Sequence, residues 1–323
     1  MRSLLVAALL LAASDTPTFE LPPRLQKLLD DGKWDNTPAA FRIIALSHLA
    51  DGCEGQARAH PELTEEAKSC VHATLRRALA LKNPVDGLYL SHLNLIYGAA
   101  DRLGACENPQ EHERITRELV RRSLADPLRH AASYETTSLR WPADQTATLA
   151  SLARFDAAHG TTLLQAPVEG WRQVMAKNLD AKTGLPRSEV TGEGPGARYP
   201  RGCAQSYISR YLSEADPALA SQWWEKYREH FIEHIGAVAG FREWPRGVDR
   251  KGDIDSGPIV LGIGTAASAL GIAAAKAQGD TALAAQLEAS ASLVMASGVG
   301  GEVAQGVLAQ ALSFQGRWQP GPR

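Results

Sequence analysis

Asp253 and Asp255 flank a single residue ahead of a glycine-rich segment, Asp253-Ile254-Asp255-Ser256-Gly257-Pro258. Two carboxyls this close can divide labour, one protonated and one ionised, when burial and mutual repulsion separate their proton affinities. The plainer role is helix capping, because acids ahead of a helix stabilise its N-terminus. Just upstream, Phe241-Arg242-Glu243-Trp244-Pro245-Arg246 gathers two guanidinium groups, an acid and two aromatics. Arg242 and Arg246 are forked donors, and with Glu243 and Trp244 they suit a hydroxylated or carboxylated ligand. The competing role is a surface loop held by Arg–Glu pairs. Arg140-Trp141-Pro142-Ala143-Asp144 opens another segment, with proline at a helix start. An Arg and Trp141 beside the acid exceed what capping needs, so Asp144 is the leading general acid or base. Tyr199-Pro200-Arg201-Gly202-Cys203 adds a further cation and a thiol at a helix start. Exposed there, Cys203 would be a reactive thiolate of lowered pKa, whereas buried it is a small apolar filler. Asp86, Tyr89 and His92 recur at about one helical turn. Asp86 and Tyr89 are candidates for substrate contact and His92 for a proton shuttle, against the commoner role of a hydrogen-bonded core histidine.

Three other patterns carry less. Asp249, Asp253 and Asp255 lack the spacing of an EF-hand loop. His230 and His234 lie four apart, but the intervening Phe-Ile-Glu does not match a metalloprotease helix. Gly262-Ile263-Gly264-Thr265-Ala266-Ala267 mimics a dinucleotide fingerprint without a strand–helix–strand unit around it. No metal and no cofactor are therefore expected.

Positioning these residues falls to helices. Helical periodicity predicts segments near 38–51, 63–82, 87–105, 109–125, 143–159, 161–178, 202–213, 216–235, 257–277, 279–296 and 302–313, and no convincing strand. Thr64 reads as an N-cap, Asp216-Pro217 opens a helix, and Gly160 and Gly279 fall where positive φ is wanted. Alternate helices differ in character. Gly257 to Ala275 is apolar on nearly every face and must be surrounded by protein, whereas Glu65 to Leu79 and Gln222 to Glu233 are amphipathic. This predicts an all-α chain, an α/α toroid of helical hairpins with inner and outer rings, over a helical solenoid, for which no fixed repeat is found. Successive antiparallel helices would start every second helix at the same end, bringing the four motif loops to one pocket. By the same geometry Cys53 and Cys106 would meet at the opposite end as a disulfide, with Cys70 a buried thiol.

Met1-Arg2-Ser3, the apolar run Leu4 to Ala13 and Ala12-Ala13-Ser14 read as a cleaved secretory signal over residues 1–14, leaving 15–323 as one exported domain, periplasmic or extracellular. The run is too short to span a bilayer, and no later stretch resembles a membrane span. Hydrophobic residues make up 44% and charged ones 22%, with net charge −2, so nothing in the balance draws nucleic acid. A small-molecule or glycan substrate is the expected partner, and a homo-oligomer is compatible with the sequence.

Taken together, Trp141-Pro142-Ala143-Asp144, Pro200-Arg201-Gly202, the run from Gly240 to Glu243 and Asp253 to Pro258 resemble the bacterial linalool dehydratase-isomerase-like group, as does Tyr89-Leu90-Ser91-His92-Leu93-Asn94. The likeness spans residues 85 to 280. It implies an (α/α)6 barrel and cofactor-free acid/base chemistry on an allylic alcohol, as a lyase or isomerase. Ala143 stands where the group carries a cysteine, and the wealth of Arg and acids suits a substrate more polar than a monoterpene. α/α toroids also host glycoside hydrolases and polysaccharide lyases, an analogy of fold alone. A noncatalytic ligand-binding or envelope scaffold protein is the third reading.

Overall fold

The structure is a computed structural model and describes residues 17–82, 86–192, 199–296 and 306–322, without the side chains of 295 and 296. The expected signal sequence and Val85 lie outside the described residues, as does the start of the predicted 302–313 helix.

The chain is mostly helical. Its helices are α1 (Pro23–Asp31), α2 (Ala39–Ala59), α3 (Thr64–Leu79), α4 (Gly87–Arg102), α5 (Pro109–Ala125), α6 (Pro142–His159), α7 (Gln165–Met175), α8 (Gly202–Ala215), α9 (Pro217–Phe231), α10 (Thr265–Ala277), α11 (Thr281–Ala296) and α12 (Val307–Trp318). Local chemistry explains many ends. The Asp216 carboxylate accepts the Leu219 N–H, with Pro217 at the first helical position of α9. Gly160 ends α6 with φ of 65°. Thr64 is not the cap expected of it: a short 3-10 turn, Pro61–Leu63, precedes α3, and the Thr64 hydroxyl donates to the Pro61 carbonyl.

Helix α2 packs on α4, α4 on α6, α6 on α8, α8 on α10, α10 on α12, and α12 back on α2. Each also packs on a hairpin neighbour: α3 on α2, α5 on α4, α7 on α6, α9 on α8, α11 on α10 and α1 on α12. The first six are rich in buried residues all round, the others along one stripe. Their side chains meet in matched layers. Ser91 of α4 meets Thr148 of α6 at 2.7 Å, and deeper in, Arg154 of α6 meets Asp51 of α2 and Glu214 of α8. The helix starts therefore share one end.

Four expectations are corrected. Helix α2 runs to Ala59, beyond the predicted 51, because Gly52 and Gly55 are packing sites and not exits: a Cβ there would stand 2.3 Å from the Phe314 ring and 2.3 Å from the Trp318 carbonyl respectively. Cys53 consequently sits within the helix and forms its disulfide with Cys70 of α3, leaving Cys106 free. Closing a loop of this length contributes about 3 kcal/mol. The 216–235 segment leaves the helix after Phe231, and β1 (Ile232–Ile235) pairs antiparallel with β2 (Val238–Phe241), so His230 and His234 do not share a helix. Finally, α10 begins at Thr265, not 257. Residues before it form β3 (Ile259–Val260) and β4 (Ile263–Gly264), with positive φ at Leu261 and Gly262 between them. Two consecutive positive φ values match the twist of a tight hairpin, and β-branched residues flank it.

Opposite the shared helix starts, Asp51, Glu54 and Glu214 face Arg58, Arg102, Arg154 and Arg210 in a largely buried network. Arg154 is fully buried and pairs with both Asp51 and Glu214. Arg154→Met should cost about 3–5 kcal/mol, because it leaves two buried carboxylates short of their cation. Urea unfolding followed by circular dichroism measures this; a loss under about 1 kcal/mol would mean that the remaining arginines compensate.

Candidate functional site

Gly202 opens α8 directly beneath the chain that leaves β2. A Cβ there would lie 2.0 Å from the Arg242 carbonyl oxygen, so only glycine admits this approach. The Gly202 N–H donates to the Glu243 carbonyl at 2.8 Å, and the Glu243 N–H donates to the Gly262 carbonyl in the second hairpin. Glu243 thereby hangs over the α8 start, fully buried. Its carboxylate accepts from Arg201 Nε at 2.7 Å, from the Cys203 N–H at 3.2 Å and from Cys203 Sγ at 3.2 Å. An acid forty residues away thus caps α8.

Arg201 carries the next link. Its terminal nitrogens donate to both Asp253 oxygens at 2.8 and 2.5 Å, one lies 3.7 Å from Asp255, and the guanidinium stacks on Trp244 at 5.3 Å. Asp253 also accepts the Asp255 and Ser256 N–H groups, so it caps its own loop and not α10. Burial would raise the Asp253 carboxyl, but Arg201 and these N–H groups carry it below its ordinary value. Asp255 moves the other way: burial and the Asp253 charge raise it against the pull of Arg201. Half of its side chain is open to water, which screens that repulsion.

Asp144 sits in the first turn of α6. Burial lifts its carboxyl to about 6, a hydrogen bond from Ser133 opposes this, and the Asp255 charge adds to it. Among the described residues no Lys or Arg pairs with it. Arg140, its neighbour in sequence, instead donates two hydrogen bonds to Asp126, at 3.0 and 2.8 Å. Tyr134 feels the same acids: burial, then Asp144, Asp255 and Asp86, push its phenol to about 12. Trp141 meets the Tyr134 ring edge-on at 5.6 Å.

The remaining candidates separate. Cys203 is buried, and burial together with the Glu243 charge outweighs Arg201 and raises the thiol well above its usual value. Of the two roles open to it, this is the buried filler and not the exposed thiolate. Arg242 donates to the Trp244 carbonyl, Glu233 and Asp249, and Arg246 to the carbonyls of Glu229 and Ile232. Both brace the β1–β2 hairpin. Tyr89 and His92 face different ways. The Tyr89 hydroxyl donates to the Ala78 carbonyl of α3, and with Asp86, Tyr134, Trp34 and Arg42 it lines a cavity of about 360 Å³ beside the α4 start. Asp144 and Asp255 do not line this cavity; Tyr134 is its link to them.

His92 is wholly buried, between the Tyr207 hydroxyl and the Ser47 hydroxyl, at 2.6 Å each. Ser47 donates to the Ile44 carbonyl, so it accepts from Nδ1–H, leaving Nε2 to accept from Tyr207. Burial holds this imidazole neutral, at about 3. It orients Tyr207 and lies below the acids. Ser133, Tyr134 and Tyr207 are the residues that sequence reasoning missed. The spacing of Cys203, Tyr207 and Tyr211 marks one buried face of α8 and could have found Tyr207. Against known proteins, the chain matches no family model and none of the curated proteins.

The elevated Asp144 carboxyl has a consequence for stability. In the unfolded chain this acid ionises near its ordinary value, roughly 3.9, whereas in the fold it keeps its proton to about 6. As pH rises through that window the unfolded chain releases its proton first, so the native state loses stability. Asp144→Asn removes the loss. It should gain on the order of 1 kcal/mol over the parent at pH 8, after allowance for partial exposure, and little at pH 4. Equal gains at both pH values in urea titrations would show that the carboxyl is not elevated.

Proposed function

We propose that this chain is an exported α/α-toroid enzyme running acid/base lyase or isomerase chemistry on a hydroxyl-bearing small molecule, in the manner of the linalool dehydratase-isomerase-like group. In this reading α2, α4, α6, α8, α10 and α12 are the inner ring and their hairpin neighbours the outer. The cyclic order of helix packing supports it. The observation that carries the chemistry is Asp144: a carboxyl raised to about 6 without a cation, coupled to a second acid, Asp255, that is also raised. Such a group holds and gives up a proton near neutral pH.

Asp144, protonated, donates its proton to the substrate hydroxyl, and the C–O bond breaks with release of water. Asp255 takes a proton from the adjacent carbon, whose C–H electron pair becomes the new double bond. Solvent returns the proton from Asp255 to Asp144. Re-addition of water at another carbon gives isomerisation. Asp253 leaves the catalytic set, since Arg201 claims both its oxygens, and it acts with Arg201 to place the Asp255 loop. Cys203 acts with Glu243 at the α8 start. Tyr134 and Trp141 form the wall between the acids and the cavity bordered by Asp86 and Tyr89, where the rest of the substrate sits. Tyr207 is held towards the acids by His92.

The test is turnover of a panel of allylic and more polar alcohols, with dehydrated and isomerised products separated by gas chromatography. Asp144→Asn and Asp255→Asn should each lower kcat by at least ~100-fold with helicity intact. The parent rate should fall as pH rises through about 6, where the donor loses its proton. Unchanged turnover in Asp144→Asn removes that residue from the mechanism. Hydrolysis of oligosaccharides with no alcohol converted would favour a glycoside hydrolase, and no conversion of either a binding protein.

A further inference from the structure

At the end of the helices opposite Asp144, three metal-capable side chains converge from three helices. Asp101 comes from the last turn of α4, His112 from the first turn of α5 and His159 from the end of α6. Asp101 Oδ2 lies 2.8 Å from His112 Nδ1 and 2.9 Å from His159 Nε2. One ligand atom from each residue falls within 4.8 Å of the others. None of the three belongs to the acid site.

A carboxylate between two imidazoles can be a hydrogen-bond cluster and nothing more, so the state of His112 matters. Its side chain is completely buried, yet neither ring nitrogen has an aligned hydrogen-bond partner, although Nδ1 is close to Asp101. With Nδ1 facing the Asp101 carboxylate at 2.8 Å, the buried Nε2 is left without a partner, which is costly and needs an explanation. The ring is also fixed in place: it stacks on Tyr97 at 5.4 Å and meets Phe155 edge-on at 4.9 Å. Such packing holds a ligand's direction before any ion arrives. Access comes from His159, whose side chain is about one-third exposed. Cys106, free and partly exposed, lies in the loop after α4, and burial and then the Asp101 charge raise its thiol to about 11.

We propose that Asp101, His112 and His159 bind one zinc ion, with the fourth position left to solvent. Two imidazoles and a carboxylate are a common zinc set, and tetrahedral geometry needs only a modest spreading of donors already in reach of one another. Magnesium and calcium prefer sets made of oxygen. The ion would tie α4, α5 and α6 together at the end remote from the acids, so it acts as a structural clamp and leaves the chemistry at Asp144 alone.

The experiment uses the full chain, stripped with a chelator and dialysed, then titrated with zinc sulfate by calorimetry, with bound metal counted by mass spectrometry. One equivalent should bind with Kd tighter than ~10 µM, and it should raise Tm. His159→Ala, at a partly exposed position, should fold and weaken binding at least ~10-fold. Asp101→Asn should do the same, with circular dichroism confirming the fold of each. Weaker binding in the parent, or affinity unchanged in His159→Ala, overturns the proposal. Because the readout is metal and not turnover, this result stands apart from the fate of the acid/base reading.

Discussion

The contact on which the site depends is the one between Arg201 and Glu243. It joins the residue just ahead of α8 to the chain leaving β2, 42 residues later, and through Asp253 to the loop behind it. The pair is buried on the Glu243 side, where a carboxylate would be expensive without compensation. Compensation comes from three donors: the guanidinium, a helix N-terminal N–H and a thiol. Gly202 makes this geometry possible, since any side chain would lift the strand off the helix. Remove the pair and the β3–β4 hairpin loses its anchor, and with it the loop that holds Asp255 near Asp144.

Below that contact the buried polar groups change character with depth. Near the helix starts are acids that share few cations. In the middle lie neutral groups whose hydrogen bonds run in one direction, Tyr207 to His92 to Ser47 to the Ile44 carbonyl. Farthest in, Asp51, Glu54 and Glu214 meet a set of arginines centred on Arg154 and Arg210. The neutral layer keeps the two charged layers apart. His92 stays neutral because burial disfavours its cation, and His48 and Arg154 on the same side add repulsion against the one attractive charge of Asp51. The ion network provides rigidity at one end, while the acid end keeps carboxyls that can titrate.

Much of this was legible in the sequence, where a local pattern had a single physical meaning. Gly160 and Gly279 sit at positive φ, 65° and 75°, as helix ends require, and Asp216-Pro217 opens α9. Other signals were ambiguous. Asp51-Gly52-Cys53-Glu54-Gly55 reads as a helix exit, because glycine between acids does that in isolation, but here the glycines admit Phe314 and Trp318 from a helix some 260 residues later. No local rule contains that partner, and the disulfide was misassigned with it. The apolar run from Gly257 fits a helix throughout by its pattern, because short apolar runs fit helix and strand alike. Its β-branched residues flanking Leu261-Gly262 were the overlooked sign of a turn. Asp144 was legible as an acid at a helix start, whereas Ser133 and Tyr134 come from a loop whose course depends on Gly87 and the α4 start.

Three aspartates show how the fold assigns protonation without changing residue type. Asp51 is buried against Arg154 and Arg210 and is held below its ordinary value. Asp253, half exposed, is held below by Arg201. Asp144 rises to about 6. Burial pushes all three upward, so the cation decides the sign. A guanidinium about 4 Å away contributes on the order of 4 kcal/mol at an effective dielectric near 20. That exceeds the roughly 2.7 kcal/mol that a rise of about two pKa units represents. One arginine in contact would therefore pull the partly exposed Asp144 carboxyl back down, whereas for the fully buried Glu243 burial still outweighs Arg201 and the carboxyl stays raised. Arg140, four residues before it, is the nearest in sequence, and Asp126 binds it through two hydrogen bonds. Arg201, across the mouth, is taken by Glu243 and Asp253. An acid able to donate near neutrality thus depends on other acids that occupy its arginines, which places Asp126 and Asp253 in the design of the site although neither need touch a substrate.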